Sequence, residues 1–213
     1  MLTLNQVVDR TFYINLPHRE DRRASITVDL YANGIEAERV DGLYGHLCKV
    51  PEGFGGTPGG FGCTLTHLAL YAQGLEQGLE SMAIFEDDCR FTPEFPRHFQ
   101  DFWLQVPKDW QLVYLGGNHS HFGAQPPIPI NGCPWVGRVQ KTLTTHAYFI
   151  RREAMKVALS SKEAYRFMID VALTEVQAQV PSYCAVPSLC WQGEGWSDCW
   201  ETYTNYDYCL KGK

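Results

Sequence analysis

Short apolar runs alternate with amphipathic stretches along almost the whole chain, and this alternation limits the fold more than any other feature. Thr11–Leu16 is rich in β-branched and aromatic residues and is stopped by Pro17, which predicts a first strand. A helix is expected over Glu20–Asn33, stopped by Gly34. Ala37–Val40, Met82–Phe85, Leu112–Leu115, Thr145–Ile150 and Tyr183–Val186 read as further strands. Thr64–Gln77 sets Leu65, Leu68, Ala69, Ala72 and Leu75 on one helical face, and Glu94–Val106 does the same with its Phe and Trp residues. Helices are also expected over Arg152–Ser160 and Val171–Val180. Val50–Gly62 and His119–Gly137 are rich in Gly and Pro and read as loops, the second as a loop or flap. The order predicts an α/β domain, a mostly parallel sheet flanked by helices on both faces. It is read as one domain over 1–213, with an irregular aromatic-rich tail from about residue 191. Ligands of such sheets bind at the carboxyl ends of the strands, so the residues just after each strand are the ones to inspect.

Composition narrows the function. With 45% hydrophobic and 20% charged residues the chain has the balance of a folded domain, which excludes disorder. Eighteen Lys and Arg face 24 Asp and Glu, a net charge of −6, and such a surface does not attract a nucleic-acid backbone. No apolar run approaches the roughly 20 residues of a membrane span. The first ten residues lack a basic segment followed by an apolar one. The expectation is a cytoplasmic protein, or one peripheral to a membrane, with its eight cysteines mostly reduced. None forms a C-x-x-C pair, which disfavours a zinc ribbon. Cys184, Cys190, Cys199 and Cys209 crowd the end of the chain, either as small buried hydrophobes or in a disulfide or metal role.

Glu86-Asp87-Asp88 follows the Met82–Phe85 strand directly. Three adjacent carboxylates at a core-facing strand end repel one another, and a divalent cation offsets that repulsion. Hard oxygen ligands suit Mg²⁺ or Mn²⁺, which would hold a diphosphate as a leaving group. The alternative is a solvated acidic turn that caps a helix. The Gly-rich stretch 53–62 has no Gly-Lys-Ser/Thr ending and carries Pro58 where a dinucleotide fingerprint wants its third glycine. It reads as a mobile loop over a site or as a plain surface loop.

Four segments taken in order resemble glycosyltransferase family 25, which includes bacterial lipooligosaccharide and procollagen galactosyltransferases. They are YINLPHREDRR (13–23), GCTLTHLAL (62–70), IFEDDCRF (84–91) and LVYLG (112–116). THAYFI (145–150), Ile169-Asp170, PSLCWQ (187–192) and Ser197-Asp198 look like the family's later blocks. The resemblance implies a GT-A-like fold, a UDP-galactose or UDP-glucose donor, a Mn²⁺ cofactor (or Mg²⁺) and inversion at the anomeric carbon. The acceptor would be a glycan, lipooligosaccharide or protein.

Carried over residue by residue, the resemblance puts Asn15 and Leu16 beside the base and ribose. Arg19 or Arg22 would meet the diphosphate, Asp41 the uracil or ribose, and His67 the donor side. Asp88 becomes the best metal ligand. Glu86 would face the ribose, and Asp87 would ligate or orient. His146 stands where many members carry a smaller residue, and either adds a metal ligand or fills the strand. An inverting transfer needs a carboxylate base away from the metal. Asp170 is the first choice and Glu175 the second. Gln192 and Asp198 would bind acceptor or metal, and Trp191 and Trp196 would stack on a sugar. His119 and His121 are expected at the surface. The chain is short for the family, so its acceptor-binding part reads as abbreviated. Two other classes compete: a non-catalytic nucleotide-sugar or carbohydrate-binding protein on a transferase-like fold, and a nucleotidyltransferase.

Overall fold

The computed structural model describes residues 1–205. Its strands are β1 (Arg10–Asn15), β2 (Glu38–Asp41), β3 (Ser81–Glu86), β4 (Cys89–Phe91), β5 (Leu112–Tyr114), β6 (Ile128–Ile130), β7 (Cys133–Arg138), β8 (Ala147–Arg151), β9 (Ser182–Ala185), β10 (Cys190–Gln192), β11 (Gly195–Ser197) and β12 (Thr202–Thr204). Its α-helices are α1 (Glu20–Ala32), α2 (Pro58–Glu76), α3 (Phe95–Trp103), α4 (Arg152–Ser160) and α5 (Ile169–Gln179). Eight strands form one sheet in the order β2-β1-β3-β8-β5-β9-β7-β6. β1, β2 and β3 pair in parallel, as do β5 and β9, while β8 and β7 run against their neighbours. The mostly parallel α/β sheet expected from the alternation is therefore present, with two reversed strands.

Side-chain alternation explains why the central strands read as nearly continuous apolar runs. In β3, Ala83 and Phe85 enter one core with α1 and α3, while Met82 and Ile84 enter the other with α2, α4 and α5. β8 divides in the same way, Ala147 and Phe149 against Tyr148 and Ile150. Helices thus cover both faces. Each fully buried Phe, Leu or Ile contributes about 1.5–3 kcal/mol.

Three expectations are corrected. The Gly-rich stretch is not loop to residue 62, because α2 starts at Pro58. The Thr57 Oγ1 accepts from the Gly60 N–H at 3.0 Å as N-cap, and Pro58 sits in the first turn, where its missing N–H costs nothing. The glycines serve contact rather than mobility. A Cβ on Gly59 would collide with the Asp198 carbonyl, and one on Gly62 with the Leu43 carbonyl. The 119–137 segment holds the β6–β7 hairpin, turned at Gly132 with φ +77°. The aromatic tail is ordered through residue 205: β10 pairs with β4, and β11 with β12. The remainder of the tail, with Cys209, lies outside the described residues.

Candidate active site

A cavity of about 680 Å³ opens at the carboxyl ends of β1 and β3. Glu86, Asp87 and Asp88 all line it. Strand alternation sends them different ways. Glu86 turns toward α2, where its Oε1 lies 3.2 Å from His67 Nε2 and accepts from Thr145 Oγ1 at 2.5 Å. Asp87 turns toward α1. Its Oδ2 accepts from Asn15 Nδ2 at 2.8 Å, and its Oδ1 accepts from Arg22 Nη1 at 3.0 Å. The same Arg22 nitrogen is 3.3 Å from Asp88 Oδ2, so one guanidinium is shared between two carboxylates and leaves the pair short of positive charge.

The three acids differ in proton affinity for physical reasons. Burial works against the Glu86 charge, but the His67 and Thr145 contacts hold its carboxyl below the ordinary range. Burial raises Asp87 despite Arg22 and Asn15. Burial, reinforced by the charges of Glu86 and Asp87, pushes Asp88 up to about 7 against the opposing pull of Arg22. Asp88 Oδ1 is buried and has no hydrogen-bond partner among the described residues.

Asp170 also lines the cavity, from the first turn of α5. Its Oδ1 accepts from its neighbour's N–H, Val171, at 2.8 Å, and its Oδ2 accepts from the Thr144 N–H at 3.2 Å. Burial raises its proton affinity, and those two backbone donors oppose the rise. Thr144 itself sits at φ +73°. A β-branched residue there is strained by about 1–3 kcal/mol, and the strain is held beside the Asp170 carboxylate.

Of the other residues singled out from the sequence, Leu16, Arg22, Gln192 and Asp198 line the cavity. Asn15 stands behind it and orients Asp87; its Oδ1 accepts from Arg39 at 3.1 Å. Arg19 is committed to Asp21 and Asp198, at 2.8 and 2.5 Å, rather than to the cavity. Asp41 is exposed and paired with Arg39 at 2.7 Å. His67 is fully buried, with Nδ1 2.7 Å from Tyr148 Oη. Glu175 is exposed and accepts from Ser161 at 2.7 Å, off the cavity altogether. Trp196 is half exposed, and its carbonyl, not its ring, reaches the site by accepting from Arg22 Nη2 at 2.6 Å. Trp191 is half-buried in β10, opposite Arg90. His146 is buried outside the lining, its Nε2 without a hydrogen-bond partner among the described residues, and burial lowers its pKa to about 4. His119 is not a surface residue. Its Nδ1 contacts Thr142 Oγ1 at 2.8 Å, and burial lowers its pKa to about 4.

Among the described residues, the C-terminal cysteines do not gather. Cys184 and Cys190 are buried in β9 and β10, whereas Cys199 lines the cavity beside Cys63. All seven described cysteines are free. Sequence reasoning missed Cys63, Tyr44, Thr145 and Trp200 as lining residues. Thr145 had a signal, since it adjoins a flagged histidine at a strand end. Trp200 had a weaker one: it belongs to the aromatic-rich tail, and of that tail's tryptophans it is the one that lines the cavity.

Residues 57–128 match the family model described as glycosyltransferase family 25 (LPS biosynthesis protein). That segment carries His67 and the whole acidic triplet. Over that segment the chain is similar to glycosyltransferase family 25. Among relatives, procollagen galactosyltransferase 1-B of Xenopus laevis is 33% identical over 144 residues, 58% of this chain and 23% of that protein. The inactive glycosyltransferase 25 family member 3 of Mus musculus is 26% identical over 180 residues, 75% of this chain and 30% of that protein. The chain therefore spans less than a third of the length of these relatives. A solved glycosyltransferase involved in glycosylating the major capsid of PBCV-1 is similar over 83% of this chain and 92% of its own, with 9% identity and a TM-score of 0.42. One of these relatives is named a galactosyltransferase and the other is named inactive, so the chemistry of this chain has to be argued from its own cavity.

Proposed function

We propose that the protein is a metal-dependent, inverting glycosyltransferase that moves a hexose, galactose or glucose, from a UDP-sugar to a hydroxyl of a glycan, lipooligosaccharide or protein acceptor. The observation that carries this reading is one cavity lined both by the Glu86–Asp88 triplet at the end of β3 and by the separate carboxylate of Asp170 at the start of α5. An inverting displacement uses two such centres, one to hold the leaving diphosphate and one to take the acceptor proton on the opposite face.

The residues fit a divalent cation. Asp88 Oδ1 is a buried, unpartnered hard donor, and the raised proton affinity of Asp88 marks a carboxylate short of positive charge. Asp88 and Asp87 would hold Mn²⁺ or Mg²⁺, which supplies charge neutralisation for a leaving diphosphate. Arg22 adds a fixed guanidinium at the same edge, suited to phosphate oxygens. Leu16 offers an apolar edge to a base or ribose. Asp170 serves as the base. Its burial strengthens it as a proton acceptor, and its two backbone hydrogen bonds fix its orientation. Gln192, Asp198 and the half-exposed Trp200 ring offer polar and stacking contacts for an acceptor sugar.

The test is release of UDP from UDP-galactose and UDP-glucose with and without Mn²⁺, read together with the Mn²⁺- and UDP-induced thermal shift. Turnover in the presence of metal is expected, with the metal shift lost in Asp88→Asn. The relative named inactive makes a non-catalytic binder the second reading; UDP binding by calorimetry with no turnover would establish it. Release of pyrophosphate instead of UDP would mark a nucleotidyltransferase. The reading includes a cytoplasmic or membrane-peripheral site of action. Free thiols support it, no described helix is long and apolar enough to cross a membrane, and cell fractionation tests it.

A further inference from the structure

A second group of ligand atoms lies deeper in the same cavity wall, on the α2 side. Cys63, His67 and Glu86 each offer one ligand atom, and the three atoms lie within 4.8 Å of one another. Cys63 and His67 are four residues apart on α2, so both point from one face of that helix. Glu86 meets them from the end of β3. His67 Nε2 and Glu86 Oε1 are 3.2 Å apart. Two such atoms at normal zinc bond lengths in a tetrahedron stand about 3.3 Å apart, so this edge is already near the right length. The surroundings are those of a metal site. His67 Nδ1 meets Tyr148 Oη at 2.7 Å, which orients the ring with Nε2 toward the other ligands. The Thr145 hydroxyl fixes Glu86 from the other side. Cys63 and Glu86 border the cavity, so a fourth position faces solvent there.

We infer that Cys63, His67 and Glu86 form a binding site for Zn²⁺, distinct from the hard-oxygen donors of Asp87 and Asp88. One thiolate, one imidazole and one carboxylate make a borderline-soft set that selects zinc over Mg²⁺ or Mn²⁺. Binding breaks the Cys63 S–H bond and the His67–Glu86 contact. The thiol proton goes to solvent; the imidazole shifts to its Nδ1–H tautomer, Nε2 releasing the proton it shared with Glu86 while Nδ1 takes one up and donates it to Tyr148 Oη; the freed sulfur and Nε2 lone pairs then form bonds to the metal, and a water fills the open position. No oxidation is involved.

The experiment is metal analysis of the untagged full chain after dialysis against buffered Zn²⁺, with Co²⁺ titration as an optical probe. One zinc per chain is expected, and Co²⁺ should give a near-ultraviolet thiolate-to-metal charge-transfer band. Cys63→Ser should weaken zinc binding by about 100-fold or more and abolish the band, while Tyr148→Phe, which removes only the hydroxyl behind the imidazole, should weaken it about tenfold. Asp88→Asn should keep the zinc. Three results would overturn the site: no zinc in the wild-type chain, full zinc in a folded Cys63→Ser chain, or Co²⁺ bound without the band. A Cys63–Cys199 disulfide in the native protein would overturn it too, because it would consume the thiol. Zinc content is read without any donor or acceptor, so failure of this site and failure of the transferase reading are separate outcomes.

Discussion

Arg22 is the residue on which the electrostatics of the site turn. It pairs with Asp87 and Asp88 while largely buried, and breaking such a pair strands the remaining charges. Arg22→Gln is expected to cost about 3–5 kcal/mol in urea unfolding at pH 8, and added Mn²⁺ should restore more stability to the variant than to the wild type. Asp170→Asn should lower kcat by about 100-fold or more while leaving UDP affinity unchanged in calorimetry, since the amide keeps the shape but not the basicity. Two buried imidazoles set the acid limit. The pKa of His119 falls to about 4 in the folded chain from an ordinary 6.5, and His146 falls likewise. A group lowered in this way favours the fold above about pH 6.5 and loses that contribution as pH falls toward 4, because the unfolded chain takes up the proton first. Stability should therefore drop across that window, and His119→Gln should make the drop shallower in denaturation midpoints measured at pH 7, 6 and 5.

At the level of elements, the beginning of α2 and the loop after β11 act as one unit. The Thr57 hydroxyl donates to the Cys199 carbonyl, and Gly59 lets the Asp198 backbone lie directly against the helix. Glycine in a first helical turn normally weakens a helix. Here it permits the close approach that brings Asp198, Cys199 and Trp200 to the cavity. Gly59→Ala should destabilise the protein by about 1–3 kcal/mol and speed proteolytic cleavage near residue 198, read by mass spectrometry after brief digestion. Trp200→Ala should leave donor binding intact and raise the acceptor KM about tenfold, the loss expected for one stacked ring. A helical periodicity that begins only at Thr64 concealed this arrangement. The residues before it carry no apolar pattern, because their role is to be small.

For the whole molecule, the alternation of apolar runs and amphipathic stretches was enough to specify an α/β sheet covered on both faces. Burial on both sides of β1, β3, β5 and β8 demands uninterrupted apolar strands, and that demand is written locally in the residues. Strand ends were legible for the same reason, and with them the acidic triplet, Leu16 and Arg22 as residues of the cavity. The pairing of β10 with β4 was not legible, because these short strands are held by partners far away in sequence, and the β6–β7 hairpin, though local, is masked by its prolines and glycines. The same holds inside the site. The sequence by itself determined that three carboxylates stand together at the end of a strand. Only the tertiary structure decided that Glu86 faces His67 and Cys63 while Asp87 and Asp88 face Arg22, since the sheet's two faces present consecutive side chains to different helices.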